Sequence, residues 1–156
     1  MPSIINFEQV IGTFITGFLL IKFGRKTILQ FGTLAGGIGN VLVFIGFFLN
    51  GRADDPDSNP GQYFILFGLF IYMGVFGISL GPIVWLYIPE IVQPKVVPFS
   101  TAANWISASL IIMLFPIMTE HLLNDNPSVL FAFFAVWCIL SFVLHLRYVV
   151  ETKDKS

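Results

Sequence analysis

The chain is 156 residues long, 56% hydrophobic and only 11% charged, with a formal net charge of −1. A soluble domain of this length needs far less apolar surface for its core, so the composition excludes a soluble globular protein and predicts an integral membrane protein. The single cysteine, Cys138, lies inside an apolar block, which excludes intramolecular disulfides and cysteine-based metal clusters.

Five apolar blocks follow one another along the chain, and each approaches the roughly 20 residues that cross a roughly 30 Å hydrocarbon layer. They predict an all-α fold with five transmembrane helices, at residues 4–21, 28–49, 63–88, 99–118 and 128–146. The first block has three polar residues near its start, Asn6, Glu8 and Gln9, so an interfacial helix is the alternative there. If this block spans, Glu8 is expected to face protein, because a carboxylate facing lipid is costly.

Basic residues are distributed unequally between the two ends of these spans. Arg52 stands alone on one side, between the second and third blocks. The opposite side collects Lys22, Arg25, Lys26, Lys95, Arg147, Lys153 and Lys155. Because positive charge concentrates on the cytoplasmic face, this asymmetry predicts an outer N-terminus and an inner C-terminus.

A short basic segment, residues 22–27, joins the first two blocks and predicts that they are antiparallel neighbours, with Gly24 permitting the turn. In the second block, Gly32 and Gly36 have the GxxxG spacing that lets another helix backbone approach closely; a merely flexible helix is the alternative. Residues 50–62, rich in Asp, Pro and Gly, predict a surface loop.

The third block contains GPIVWLYIPE at residues 81–90, where a Gly-Pro pair, a Trp and a Pro-Glu pair interrupt an apolar run. A spanning helix normally avoids Pro and acid, because a freed carbonyl or a desolvated carboxylate is costly in hydrocarbon. We therefore expect a kink or an unwound turn at Gly81 and Pro82. Broken helices near the membrane centre are where transporters place substrate contacts.

The fourth block carries small and polar residues at three- and four-residue spacing. This polar stripe consists of Ser100, Thr101, Asn104, Ser107 and Ala108. Such spacing places them on one helix face, which should be turned toward protein or water. The alternative interpretation is a stripe that only packs helices together through side-chain hydrogen bonds.

Four motifs in order resemble the sugar porter family of the major facilitator superfamily, and specifically the C-terminal half of a hexose transporter. They are Gly24-Arg25-Lys26, the GPxxW and PE positions Gly81, Pro82, Trp85, Pro89 and Glu90, the pair Asn104-Trp105, and Val150-Glu151-Thr152-Lys153. The resemblance implies a partial major-facilitator half-domain over residues 1–156, equivalent to helices eight to twelve of a twelve-helix carrier.

The resemblance also implies site residues. Trp85 and Trp105 would stack on a sugar ring and Asn104 would bind its hydroxyls, beside the helix break at Gly81 and Pro82. The alternative is that these are inherited packing residues. At the inner face, the resemblance implies a network of charged residues: Arg25, Lys26, Glu90 and Glu151.

This sequence departs from the family pattern at several charged positions. Ile21 and Lys22 precede the Gly-Arg-Lys motif where an acid and an Arg are usual, and Pro98 replaces a common Arg. Val150 and Asp154 replace the Pro and Gly of the last motif. These departures predict a weakened inner-face network. The first six helices and the seventh, with its Gln-rich motif, have no counterpart in this sequence.

Two functions fit these features. The first, which is favoured partly by the weakened inner-face network, is an accessory or structural subunit of a larger membrane assembly, including an organellar one, rather than an autonomous carrier. The second is hexose transport, as a homodimer or as one half of a split transporter. A truncated form of a longer transporter is a third origin. The expected partners are the lipid bilayer, other membrane subunits and a hexose. Plasma and organellar membranes, the mitochondrial inner membrane included, fit equally well.

Enzymatic and nucleic-acid functions are not expected. No Ser/His/Asp arrangement, phosphate loop or metal-ligand spacing occurs, so we predict no catalytic residue, metal or cofactor. His121 and His145 lie near opposite faces of the predicted membrane and cannot share a metal ion. No basic patch of the size that nucleic acid requires is present either.

Overall fold

The computed structural model describes residues 12, 14–51, 60–122 and 126–152, and these residues form an all-helical bundle. Helical residues 14–22 are called α1. The remaining helices are α2 (Arg25–Asn50), α3 (Gly61–Val75), a π-helical turn (Phe76–Leu80), α4 (Gly81–Ile91), α5 (Val97–Leu122) and α6 (Ser128–Tyr148).

Four of the five predicted spans are confirmed as long apolar helices. Within the described residues, the stretches long and apolar enough to cross a membrane are Arg25–Asn50, Gly61–Ile91, Val97–His121 and Ser128–Tyr148. Each extends a predicted block by a few residues. The first block lies partly outside the described residues, and so does Glu8, whose predicted contact with protein stays a prediction.

Helix α2 is the centre of the bundle, and it packs most extensively against α3 and α6. Near its start, Ile28 and Leu29 form a buried cluster with Ile83 and Tyr87 of α4. Ile83 is fully buried and Tyr87 is 9% exposed. The core therefore joins the first turns of α2 to the half of the broken helix that follows Pro82.

Close approach of α2 to another helix was predicted at Gly32 and Gly36, and it is found within this chain. A methyl group at Gly39 would lie 2.9 Å from the Gly68 carbonyl oxygen of α3, and one at Gly46 would lie 2.7 Å from that of Gly61. The seam of closest contact thus follows Gly32, Gly39 and Gly46, seven residues apart, and Gly36 meets only the Tyr72 ring at ordinary distance. Within this chain, α3 therefore occupies the part of the glycine face at Gly39 and Gly46.

The expected interruption at Gly81 and Pro82 is present, as a widened π-helical turn rather than an unwound segment. The backbone stays in right-handed helical conformation through Leu80 and Gly81, and the Gly81 N–H donates to the Phe76 carbonyl, five residues back. Pro82 follows as an early residue of α4, where its missing N–H is best tolerated. The helix therefore continues through the break with a changed hydrogen-bond register.

Helix α5 lies at the periphery of the described bundle. None of its described side chains at positions 97–121 is buried. Phe115 packs against Phe131 and Phe134 of α6, with ring centroids 5.9 and 6.5 Å apart. The polar stripe, predicted to face protein or water, is left half-buried or exposed by this chain.

The two ends of the bundle agree with the predicted topology. Residues 22–27, the end of α4 and the segment after α6 meet at one end, where the Lys26 ammonium donates to the Leu146 carbonyl. At the other end, Gly51 lies against Asn126. Which end faces the cell interior stays a prediction from the charge asymmetry.

Candidate functional site

Two tryptophans meet between α4 and α5. The ring centroids of Trp85 and Trp105 are 6.4 Å apart and their planes are inclined by 30°. Both rings remain accessible, with 42% and 62% of their surfaces exposed. The resemblance implies that both rings stack on a sugar; the structure places them side by side as one aromatic surface, called here the tryptophan pair.

Asn104 lies beside this pair on α5, and its side chain is exposed. A carboxamide both donates and accepts hydrogen bonds, so an exposed Asn one residue before Trp105 suits recognition of a hydroxylated ring. Ser100, one turn earlier, uses its hydroxyl locally, donating to the Val96 carbonyl at 3.3 Å. The polar stripe therefore lies on the same helix as Trp105, with its described side chains at least partly exposed.

Gly81 and Pro82 lie one turn before Trp85 and fix where the helix is interrupted. A methyl group at Gly81 would lie 3.0 Å from the Phe76 carbonyl oxygen and 3.5 Å from the Phe76 ring. Glycine thus permits the tight contact inside the widened turn. These two residues shape the backbone that carries Trp85, and their side chains offer no polar group to a ligand.

A second cluster lies at the end of the bundle where α4 terminates. The Arg25 Nη2 atom is 2.7 Å from Glu90 Oε1, with 25% and 32% of the two side chains exposed. The Thr152 hydroxyl donates to the other Glu90 oxygen at 2.6 Å. Within the network of charged residues that the resemblance implies, Arg25 and Glu90 therefore form an ion pair, despite the departures at neighbouring positions.

Glu151, expected in the network of charged residues, binds backbone groups at the start of α2. Its two carboxylate oxygens accept hydrogen bonds from the backbone N–H groups of Arg25 at 2.9 Å and of Lys26 at 3.2 Å. These are orphan donors at the first turn of α2, where a negative charge is also stabilised by the helix dipole. Glu151 is therefore a cap for α2, supplied from the far end of the sequence.

The position of this carboxylate explains Gly24, and the predicted role of Gly24 is wrong. Gly24 has φ −76° and ψ 159°, an extended conformation that any residue adopts, so the turn does not require glycine. A methyl group at position 24 would instead overlap the Glu151 carboxylate. Glycine therefore leaves room for the carboxylate in its capping position.

Sequence reasoning missed Tyr87. Its hydroxyl donates to the Val150 carbonyl at 3.0 Å and accepts from the Val150 N–H at 3.1 Å. It thereby binds the C-terminal segment to α4 just beside Glu90. A tyrosine one turn before a Pro-Glu pair in a spanning helix was the available signal, but its partner lies 63 residues away.

The predicted residues thus form two groups that share α4. The tryptophan pair and Asn104 form an exposed surface, whereas Arg25, Glu90 and Glu151 form a hydrogen-bonded cluster at one end, called here the inner-face cluster. Lys26 contributes its backbone N–H to the cluster while its ammonium binds Leu146. In the part of the chain that the structure describes, no three His, Cys, Asp or Glu residues approach one another as metal ligands would.

Comparison with known proteins shows the family of this chain. The model of the family described as "Sugar (and other) transporter" matches residues 3–156. Hexose transporter 1 of Plasmodium yoelii yoelii is 30% identical over 145 residues, which cover 90% of this chain and 27% of that protein. The galactose-proton symporter of Escherichia coli strain K12 is 32% identical over 159 residues, covering 98% of this chain and 32% of the symporter.

A solved structure supports the same fold. The inward-open xylose transporter of Escherichia coli superimposes with a TM-score of 0.78 at 22% identity, covering 98% of this chain and 33% of that one. This chain therefore spans about a third of the length of the proteins it matches. It is an integral, multi-pass membrane protein, and it belongs to the sugar (and other) transporter family.

Proposed function

We propose that this chain supplies one wall of a hexose-binding site in a larger transporter-like membrane assembly. The observation that carries the proposal is the tryptophan pair, which presents two accessible aromatic rings, one of them on the helix that follows the break. Aromatic surface with a few convergent polar groups is the usual lining of a small-molecule site. Asn104 provides such a group beside the pair.

Further helices are needed because α5 itself is left uncovered by this chain. Its described side chains are all at least partly exposed, including the polar stripe. Interhelical hydrogen bonds and close packing drive helix association in membranes, so a polar face of this kind favours a protein partner over lipid. The relatives, three times as long, contain additional chain that could occupy this position. Helices outside this sequence would provide the other wall, whether they belong to a second copy, to a separate polypeptide or to a longer form of the same chain.

A structural subunit that carries no sugar is the second candidate. It is favoured by the fact that the candidate contacts come from α4 and α5 alone, and that both rings of the tryptophan pair stay exposed in the described part of the chain. The inner-face cluster argues the other way. The sequence predicted that this cluster would be weakened, which favoured a structural subunit. The Arg25–Glu90 pair and the Glu151 cap are nevertheless both formed.

Stereospecific uptake separates the two candidates. The assembly is purified through a tag on this chain and reconstituted in liposomes, and uptake of D-glucose is compared with that of L-glucose. We expect saturable uptake of the D-sugar, reduced about tenfold or more by Trp85→Ala, because loss of about 1.4 kcal/mol corresponds to a factor of ten. Trp137→Ala is the matched control, since Trp137 lies on α6 and is 60% exposed.

Each outcome assigns a function. An intact assembly without stereospecific uptake or binding establishes the structural subunit. Uptake that Trp85→Ala and Trp137→Ala leave equally unchanged keeps transport but refutes the tryptophan pair as the sugar-facing wall.

A further inference from the structure

The broken helix leaves two backbone carbonyls without their α-helical donors. The carbonyl of Ile78 would receive the N–H of residue 82, but Pro82 has none. The carbonyl of Gly77 would receive the N–H of Gly81, which the widened turn directs to Phe76 instead. Both acceptors lie in an apolar bundle, where an unsatisfied carbonyl is costly.

Helix α1 meets the break at these two carbonyls. The Thr16 hydroxyl lies 2.6 Å from the Ile78 carbonyl oxygen, and the Thr16 residue is only 2% exposed. One turn earlier, Gly12 approaches Gly77 so closely that a methyl group there would lie 2.9 Å from the Gly77 carbonyl carbon. Gly12 and Thr16, four residues apart, thus present one face of the helix to the break.

The Thr16 hydroxyl has a second possible acceptor within its own helix. Thr16 Oγ1 is also 2.8 Å from the Gly12 carbonyl, the usual acceptor for a threonine within a helix. A hydroxyl carries a single proton, and the contact to Ile78 is the shorter one. The Gly12 carbonyl belongs to the same helix, whereas Ile78 is reached 62 residues away. The bond to Ile78 is therefore the one that links α1 to the broken helix.

The opposite side of the turn is held as well. Ser79 is fully buried and donates to the Val75 carbonyl at 2.9 Å. A methyl group at Gly32 of α2 would overlap the Ser79 hydroxyl. The widened turn is thus enclosed by α1 on one side and by α2 on the other.

We propose that Thr16 is a positioning residue: it supplies the hydrogen-bond donor that Pro82 lacks and thereby fixes the direction of α4 relative to α3. Helix α4 carries Trp85, one member of the tryptophan pair, and Glu90, a member of the inner-face cluster. Thr16 touches neither, and acts on both through the turn at Phe76–Leu80. The proposal does not depend on which molecule, if any, the tryptophan pair binds.

A double-mutant cycle between Thr16 and Pro82 tests this directly in the full chain in lipid nanodiscs. Thr16→Val removes the donor at nearly constant volume, and Thr16→Ser retains it. Pro82→Ala restores a backbone N–H that can reach the Ile78 carbonyl. We expect Thr16→Val to lower the melting temperature by about 2–4 °C, as loss of about 1 kcal/mol does in a chain of this size. Thr16→Ser should restore the melting temperature, and Pro82→Ala should abolish the effect of Thr16→Val.

A spectroscopic readout distinguishes the hydrogen bond from general packing. Carbonyl-labelled isoleucine combined with nitrogen-labelled serine gives NMR signals for two Ile-Ser peptide bonds in this sequence, Ile78–Ser79 and Ile106–Ser107. The Ile78 carbonyl signal should move upfield in Thr16→Val and stay in place in Thr16→Ser. The Ile106 signal is the internal control and should not move.

Two results overturn the proposal. One is an Ile78 carbonyl signal that Thr16→Val leaves unchanged. The other is a loss of stability in Thr16→Val that Pro82→Ala does not reduce. If Thr16→Val alone fails to fold, the proposal requires the Thr16→Val, Pro82→Ala double variant to fold, and a double variant that also fails contradicts it.

Discussion

Helices α2 and α5 are both 26 residues long and apolar, yet they occupy opposite situations. α2 is buried along much of its length by α3 and α6, and its first turn is capped by Glu151. α5 buries none of its described side chains and carries the polar stripe. Length and hydropathy set which segments span the membrane, whereas small residues and satisfied polar groups decide which span becomes the centre.

The contrast separates stability from function. The contacts that hold this chain together converge on α2: the glycine seam, the Ile28–Leu29 cluster and the inner-face cluster. The candidate sugar contacts lie on α4 and α5, on surface that the chain itself does not cover. Substitutions in the two regions should therefore have different consequences, large for the fold in the first and small in the second.

The largest loss of stability is expected at the glycine seam. Gly46→Ala places a methyl group 2.7 Å from the Gly61 carbonyl oxygen and 2.8 Å from the Ile65 nitrogen, both rigid backbone atoms. The helices must separate, at a cost of about 1–3 kcal/mol, typical of overpacking. Thermal unfolding in mild detergent measures it. Gly17→Ala is the control, because nothing lies within 4 Å of its added methyl, and equal melting temperatures for the two variants would refute the seam.

Removal of the Glu151 cap should follow. Glu151→Ala leaves the Arg25 and Lys26 N–H groups without this acceptor, and we expect destabilisation by about 1–2 kcal/mol, as for other lost helix caps. Gly24→Ala should have a similar effect by displacing the same carboxylate. Combining the two changes should cost little more than either alone. Fully additive losses in the melting curves would show that Gly24 does not act through Glu151.

A smaller effect is expected from the Arg25–Glu90 ion pair. Both side chains are about a quarter to a third exposed, so the coupling energy should be about 1 kcal/mol or less. A double-mutant cycle with Arg25→Gln and Glu90→Gln measures it, and the coupling should decrease at high salt if solvent screens the pair. A coupling energy of several kcal/mol would contradict the view that the inner-face cluster relies on its backbone cap.

The smallest effect on the chain itself is expected on α5. Trp105→Ala and Asn104→Ala remove exposed groups, so the stability of the isolated chain should change by about 0.5 kcal/mol or less. The same variants should weaken co-purification of the larger assembly. Loss of stability as large as at Gly46 would show that α5 is already part of the core, and the contrast with α2 would fail.

The positions of the spans were predictable because a run of about 20 apolar residues is typical of a transmembrane helix. The span predicted at residues 28–49 is the helix Arg25–Asn50, and the span predicted at residues 128–146 is the helix Ser128–Tyr148. The interruption at Gly81 and Pro82 was predictable too, since Pro lacks the N–H that a helix needs. Its form as a π-helical turn was not, because that depends on Thr16 and Gly32 packing around it.

The candidate site was only partly predictable, for a similar reason. Resemblance identified Trp85, Trp105, Arg25 and Glu90, and their pairings follow once the helices are placed. Gly24 and Tyr87 gained their roles from Glu151 and Val150, which lie at the other end of the sequence. Local pattern carries no information about such distant partners, so a glycine that admits a carboxylate looks the same as a glycine in a turn.

Quenching of tryptophan fluorescence by brominated lipid tests most directly whether the α4–α5 face is covered in the assembly. The chain has three tryptophans, Trp85, Trp105 and Trp137, and single-tryptophan variants isolate each of them. In the assembly, Trp137 on α6 should be strongly quenched, whereas Trp85 and Trp105 should be protected by the partner helices. In the chain alone, all three should be quenched. Equal quenching of all three in the assembly would contradict the account, because it would place the tryptophan pair in lipid rather than in a site.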